Sequence, residues 1–192
     1  MQLTRAAAGD GPGKTGTGLL MIDRPRLLLS LTLLALTWQI APATAQSVKL
    51  IGEFRNWSAY SATDSVGPVC FAMSRPTETT PTPDGYTTGY LYLTNRPSES
   101  VRNEMNLVAG YSFAPDTPAT AAVGPQVFEL FTQGDAAWLK NPAESETLAA
   151  ALRAGSSVVV EATSDKGIRI VQTFSLSGAT AASRAIEGGC TG

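Results

Sequence analysis

The feature that most restricts what this chain can fold into is its alternation of residue character with a period of two. In GYLYLT, Tyr90 and Tyr92 fall on one side and Leu91 and Leu93 on the other. Met105, Leu107 and Ala109 alternate with Asn106 and Val108, and Phe128, Leu130 and Thr132 alternate with Val127, Glu129 and Phe131. Toward the end, Ile168, Ile170, Phe174 and Leu176 oppose Arg169, Val171, Thr173 and Ser175. A strand sends successive side chains to opposite faces, so this pattern suits a pleated sheet and would smear an apolar stripe around a helix. It predicts nine strands, near 48–54, 57–62, 69–74, 88–95, 104–112, 126–132, 136–139, 156–163 and 168–176. So many short strands between turn signals imply a mainly all-β fold, a β-sandwich or flattened barrel.

Two segments depart from the alternation. NPAESETLAAALRAG opens with Asn141 as a cap and Pro142 at the first helical position, and Gly155 stands just past its end. It predicts a short helix with Leu148 and Leu152 on one face. GATAASRAIEGG, before Cys190, predicts a second. RPTETTPTPDGY (residues 75–86) lacks apolar periodicity and reads as a mobile surface loop. Gly134-Asp135 reads as a hairpin turn.

The N-terminal region reads as processing signal. AAAGDGPGKTG ends in Gly-Lys-Thr, but a phosphate-binding loop wants glycine at position 8, where Ala8 stands, and no strand precedes it. Arg24 and Arg26 precede an apolar run over 27–38, and Ala43-Thr44-Ala45 has the small-x-small form of a signal-peptidase site. The expectation is a signal peptide over 21–45 behind a mis-assigned start over 1–20, then a single domain over 46–192. Cleavage after Ala45 leaves 192 − 45 = 147 residues. They carry 10 basic and 14 acidic side chains, a net charge of 10 − 14 = −4, with no basic run. Nucleic acid is thereby disfavoured as a partner. No membrane span is expected in the mature chain.

Composition also removes whole classes of chemistry. The chain has no histidine, which excludes Ser-His-Asp and Cys-His catalysis and the common zinc sites. The two cysteines, Cys70 and Cys190, form an even set behind an export signal, which argues for a disulfide over two free buried thiols. No catalytic, cofactor or metal residues are assigned. Carboxylate chemistry is the surviving enzymatic alternative, with Glu53, Asp64, Glu104 and Asp135 near strand ends. Trp57, Tyr60, Tyr90, Tyr92 and Trp138 could form an aromatic platform for a sugar or peptide, although aromatics on strands more often simply pack. Arg102 and Glu104, two apart on a strand, share a face that could meet a partner or form a solvated rim.

Six blocks resemble the invasion-associated locus B family of bacterial envelope proteins. They are VKLIGEFRNWSAY, VCFAMSRP, YLYLTNRPSESVRNEMNLVAGYSF, ELFTQGDAAWL, LRAGSSVVVEATSDKG and FSLSGATAA. The resemblance implies an exported, periplasmic or envelope-associated β-rich domain, with Cys70 and Cys190 as its disulfide pair. It supplies no catalytic motif and no cofactor, and some members in pathogens are linked to entry into host cells. The expected function is therefore non-catalytic binding or assembly, with an unidentified envelope or host-surface protein as partner. The candidate partner surface is Trp57, Tyr60, Tyr90, Tyr92, Arg102 and Glu104. The alternatives are a cell-wall glycan hydrolase and a chaperone-like periplasmic holdase.

Overall fold

The computed structural model describes residues 47–190, so the leader expected over 21–45 lies outside the described residues. Eleven strands form one antiparallel sheet. They are β1 (Lys49–Phe54), β2 (Trp57–Thr63), β3 (Pro68–Ser74), β4 (Glu78–Thr80), β5 (Tyr90–Arg96), β6 (Val101–Val108), β7 (Ala119–Val123), β8 (Gln126–Gln133), β9 (Ala136–Leu139), β10 (Ser157–Thr163) and β11 (Arg169–Ser175). Two helices follow the sheet's later strands, α1 (Ser145–Ala154) and α2 (Ala179–Gly189). The described residues are thus mainly β with two short helices.

The strand order is β1-β2-β3-β5-β6-β9-β8-β7-β10-β11-β4. The ladder does not close into a barrel, yet its two ends approach. The Trp57 indole N–H donates to Ser175 O at 2.9 Å, and Asn56 N–H donates to Ser177 O at 3.2 Å. The approach is close enough that a Cβ on Gly178 would lie 1.7 Å from Phe54 O, and Gly178 holds φ at +98°. Only glycine takes both the contact and the dihedral.

The curled sheet buries one phase of the alternation. Trp57, Leu91, Leu93, Met105, Leu107, Leu130, Val158, Val160 and Phe174 are each at most 3 % exposed. The sequence signals at Asn141 and Pro142 start a 3-10 turn, and α1 itself begins three residues later, at Ser145. Asn141 Oδ1 accepts from Ala143 N–H at 3.2 Å, a 3-10 turn over Pro142–Glu144 leads in, and Leu148 and Leu152 face the core. α2 lies against β1, β2 and β3 through Ala179, Ala182 and Ile186. Its end is tied to β3 by the Cys70–Cys190 disulfide, with Cα atoms 5.8 Å apart across a sequence separation of 120. Gly134-Asp135 makes the β8–β9 turn, with Gln133 paired to Ala136 and Gly134 at φ +63°.

Three expectations are corrected. The segment 75–86 is not a free loop: it contains β4, paired with β11, and Thr77 N–H donates to Thr173 O at 2.7 Å. Tyr86 pins its far end, bridging to Thr79 at 3.1 Å and accepting from Gly89 N–H at 3.2 Å. β7 also goes unpredicted, because TPATAAV offers only small side chains. Ile168 is 39 % exposed, since it precedes β11 and escapes the pleat, while the polar Gln172 takes a fully buried inner position. Gln172 is accommodated there by donating to Ala109 O at 2.9 Å.

Candidate functional site: an aromatic file on the outer sheet face

The other phase of the alternation builds the site. Cross-strand register aligns Ser58, Met73, Tyr92, Asn106, Trp138 and Phe131 in one row over β2, β3, β5, β6, β9 and β8. A second row runs Leu50, Tyr60, Phe71, Thr94 and Glu104. Directly opposed side chains in an antiparallel sheet stand about 5 Å apart, close enough for rings to touch. Tyr60 stacks on Phe71 with centroids 5.2 Å apart, and Phe71 meets Tyr92 at 6.1 Å. Tyr92 meets Tyr90 at 6.1 Å along its own strand, and the Arg75 guanidinium lies 5.5 Å from the Tyr90 ring centre. Beyond Asn106, Phe131 and Trp138 stack at 5.3 Å with planes 18° apart. All six rings keep part of their surface in solvent, and Phe131 is 47 % exposed. Partial burial pushes the Tyr92 phenol above its ordinary range, and the neighbouring Tyr90 and Tyr60 hydroxyls add to the shift.

Of the five expected platform residues, Tyr60, Tyr90, Tyr92 and Trp138 stand on this face. Trp57 does not: it is 2 % exposed on the inner phase of β2, spent on the core and on its bond to Ser175. Its removal from the candidate surface follows from parity, since Trp57 and Tyr60 are an odd number of residues apart on one strand. Phe71 and Phe131 complete the file and were not singled out in the sequence. In VQTFS-like or ELFTQ-like runs both phases carry aromatic or aliphatic residues, so the pattern alone does not tell which phase faces solvent.

At the Phe131–Trp138 end the file opens into a groove of about 730 Å³, walled by Arg102 and Glu104 on β6, by Pro142 and Ala143 in the 3-10 turn and by Glu146 at the start of α1. Arg102 and Glu104 do share this face. Between them Asn103 adopts a left-handed φ of +53°, beside a register shift in the β5–β6 ladder. Asn can hold this conformation where most residues would be strained. Asn103 N–H donates to Asn95 Oδ1 at 2.8 Å, and its side-chain amide donates to Glu146 Oε1 at 2.9 Å. One buried residue thereby joins the sheet to the helical wall.

Glu104 is held at both oxygens by Arg96, at 2.8 and 3.2 Å, and Arg96 also reaches Glu99 at 3.2 Å. The hydrogen bond to Glu104 is the main cause that lifts Arg96 above the usual guanidinium range. Arg102 forms no ion pair among the described residues. The four candidate carboxylates are scattered. Glu53 borders a hollow with Arg55 and Arg75, and Asp135 borders another beside Asp165. Asp64 accepts from Val66 and Gly67 N–H at 2.8 and 2.9 Å, bonds that hold its carboxyl below the ordinary range. Among the described residues no three acidic or cysteine side chains are placed to hold a metal, and no helix is long and apolar enough to cross a membrane.

No family model matches the chain, and no curated protein matches it. Among solved structures it is similar to invasion associated protein B from Bartonella henselae, with a TM-score of 0.51 and 16 % sequence identity. The match covers 71 % of this chain and 95 % of that one. At this identity the likeness is one of fold.

Proposed function

We propose that this chain is an exported, non-catalytic binding protein of the bacterial envelope, of the invasion-associated locus B type. The observation that carries the proposal is the aromatic file. Six rings stand partly in solvent on one sheet face, in contact with one another and outside the buried core. A contiguous array of part-exposed rings on one face of a domain marks a place where something docks. The shared fold with the Bartonella protein and the disulfide support the family and compartment, since disulfides persist in oxidising environments. A link to host-cell contact rests on that protein's name alone.

A binding role also fits the groove better than hydrolysis. Glycosidase chemistry needs two carboxylates facing one another at a set separation. Here Glu53, Asp64, Glu104 and Asp135 fall in separate places, and the one that lines the groove, Glu104, is bound at both oxygens by Arg96.

The test is site-specific photocrosslinking in living cells, with a benzophenone side chain replacing Tyr92 or Phe131 and mass spectrometry of the adducts. A recurring adduct at both positions, absent when the probe replaces Val66 in the β2–β3 turn, is the expected result. A diffuse spread of exported chains from all three positions would instead indicate a holdase.

A further inference from the structure

We infer that the aromatic file and its groove form a binding site for a linear, uncharged glycan lying across the strands. This rests on the binding role proposed above and names its ligand class. The row crosses six strands from β2 to β8, and five inter-strand steps of about 4.8 Å make a track of about 24 Å. That length accommodates several sugar rings in sequence. Each such ring offers a flat C–H face to an aromatic side chain and hydroxyls at its edge.

The composition of the track matches that two-sided chemistry. Its rings stand one each on β2, β3, β9 and β8 and two on β5, with Leu50 and Met73 beside them, and the polar Ser58, Thr94, Asn106 and Glu104 are interspersed along the track. A protein interface centres on an apolar core ringed by polar residues, which is a different distribution. Asn106 is fixed in its amide orientation by donating to Ala137 O at 3.2 Å, which leaves its carbonyl oxygen as an acceptor between Tyr92 and Trp138.

Charge selects an uncharged partner. Along the file, its hollow beside Tyr60 and its groove stand Arg55, Arg75, Arg96 and Arg102 against Glu53, Glu99, Glu104 and Glu146, four of each sign, and Arg96 is already paired to Glu99 and Glu104. The face has no surplus to attract a polyanion or a polycation. Planar polar groups in the groove, Arg102 and Gln133 among them, suit the hydroxyls at a chain end.

The experiment is co-sedimentation of the protein, from residue 46 onward, with insoluble chitin, cellulose and β-1,3-glucan, followed by calorimetry with the matching soluble oligosaccharide. Retention on at least one is expected, insensitive to salt, with affinity falling about fivefold to tenfold in Tyr92→Ala and in Trp138→Ala while Val66→Ala binds normally. Circular dichroism confirms that each variant is folded. The inference is overturned by failure to bind all three, by binding that both substitutions leave intact, or by binding that collapses with salt. If sedimentation fails while crosslinks from Tyr92 and Phe131 still recover a defined adduct, the glycan falls and the binding role stands. If both fail, the two fall together.

Discussion

Leu91 and Tyr92 are neighbours on β5 that face opposite sides of the same sheet, and they summarise two different demands on the sequence. On the inner side, Leu91 and Leu93 meet Leu107 and Met105 across the ladder, all at most 3 % exposed. Any well-packed apolar set of the right volume would serve there. On the outer side, Tyr90 and Tyr92 stand in partial solvent beside Phe71, where threonine or lysine would satisfy the pleat as well. The inner face is accounted for by folding. The outer face contains more aromatic surface than folding requires, and that excess is what points to a ligand.

Substitutions can break this division or sharpen it. The largest expected effect is Phe174→Ala, which empties a fully buried position and should cost about 3–5 kcal/mol in denaturant unfolding. If the faces are separable, the folded fraction of that variant still gives the Tyr92 crosslink. Cys70→Ser comes next, at about 2–5 kcal/mol, because the bond closes a long loop and anchors α2 to the inner side of β3. Adding reductant to the wild type should lower the melting temperature alike, and an unmoved transition would contradict a structural disulfide.

Asn103→Ala tests the link between the faces. It removes the side-chain hydrogen bond to Glu146 but leaves the backbone bond to Asn95. A loss of about 2–3 kcal/mol is expected, from the hydrogen bond and from the strain of alanine at φ +53° together. A change in groove binding larger than the change in stability would show that Asn103 positions the α1 wall.

The last test is a titration, and its effect is confined to high pH. Burial, with a contribution from Tyr86, pushes the Tyr111 phenol up to about 12 from an ordinary 10.0. A tyrosine whose folded value is raised favours the folded state fully below pH 10 and loses that contribution as pH rises through the folded value. Phenolate absorbance should therefore appear late for this residue, and Tyr111→Phe should remove that late component and reduce the fall in stability between pH 10 and 12.

Much of the inner face was legible in advance. Nine strands, the cap at Asn141 on the 3-10 turn that leads into α1, and the Gly134 turn follow from period-two alternation and turn chemistry. β4 and β7 were hidden because ETT and ATAAV carry too little side-chain contrast to declare a phase, and their pairing with β11, β8 and β10 is a long-range choice. The site was half legible. Tyr60, Tyr90, Tyr92 and Trp138 fall on strands by pattern, whereas Trp57 joins them on aromatic character alone and its parity against Tyr60 sends it inward. Phe71 was hidden beside Cys70 in VCFAMS. The Arg96 clamp on Glu104 depends on the bulge at Asn103, a backbone event that no periodicity announces.

The division between the faces is tested most directly by comparing Leu91→Ala with Tyr92→Ala, adjacent positions on one strand, for unfolding free energy and for retention on the polysaccharide that binds the wild type. Leu91→Ala should lose about 2–5 kcal/mol and keep its affinity when folded. Tyr92→Ala should lose only about 1 kcal/mol, through its ring contacts, and lose retention. Equal destabilisation of the two, with retention untouched in Tyr92→Ala, would mean that the outer aromatics exist to hold the sheet together.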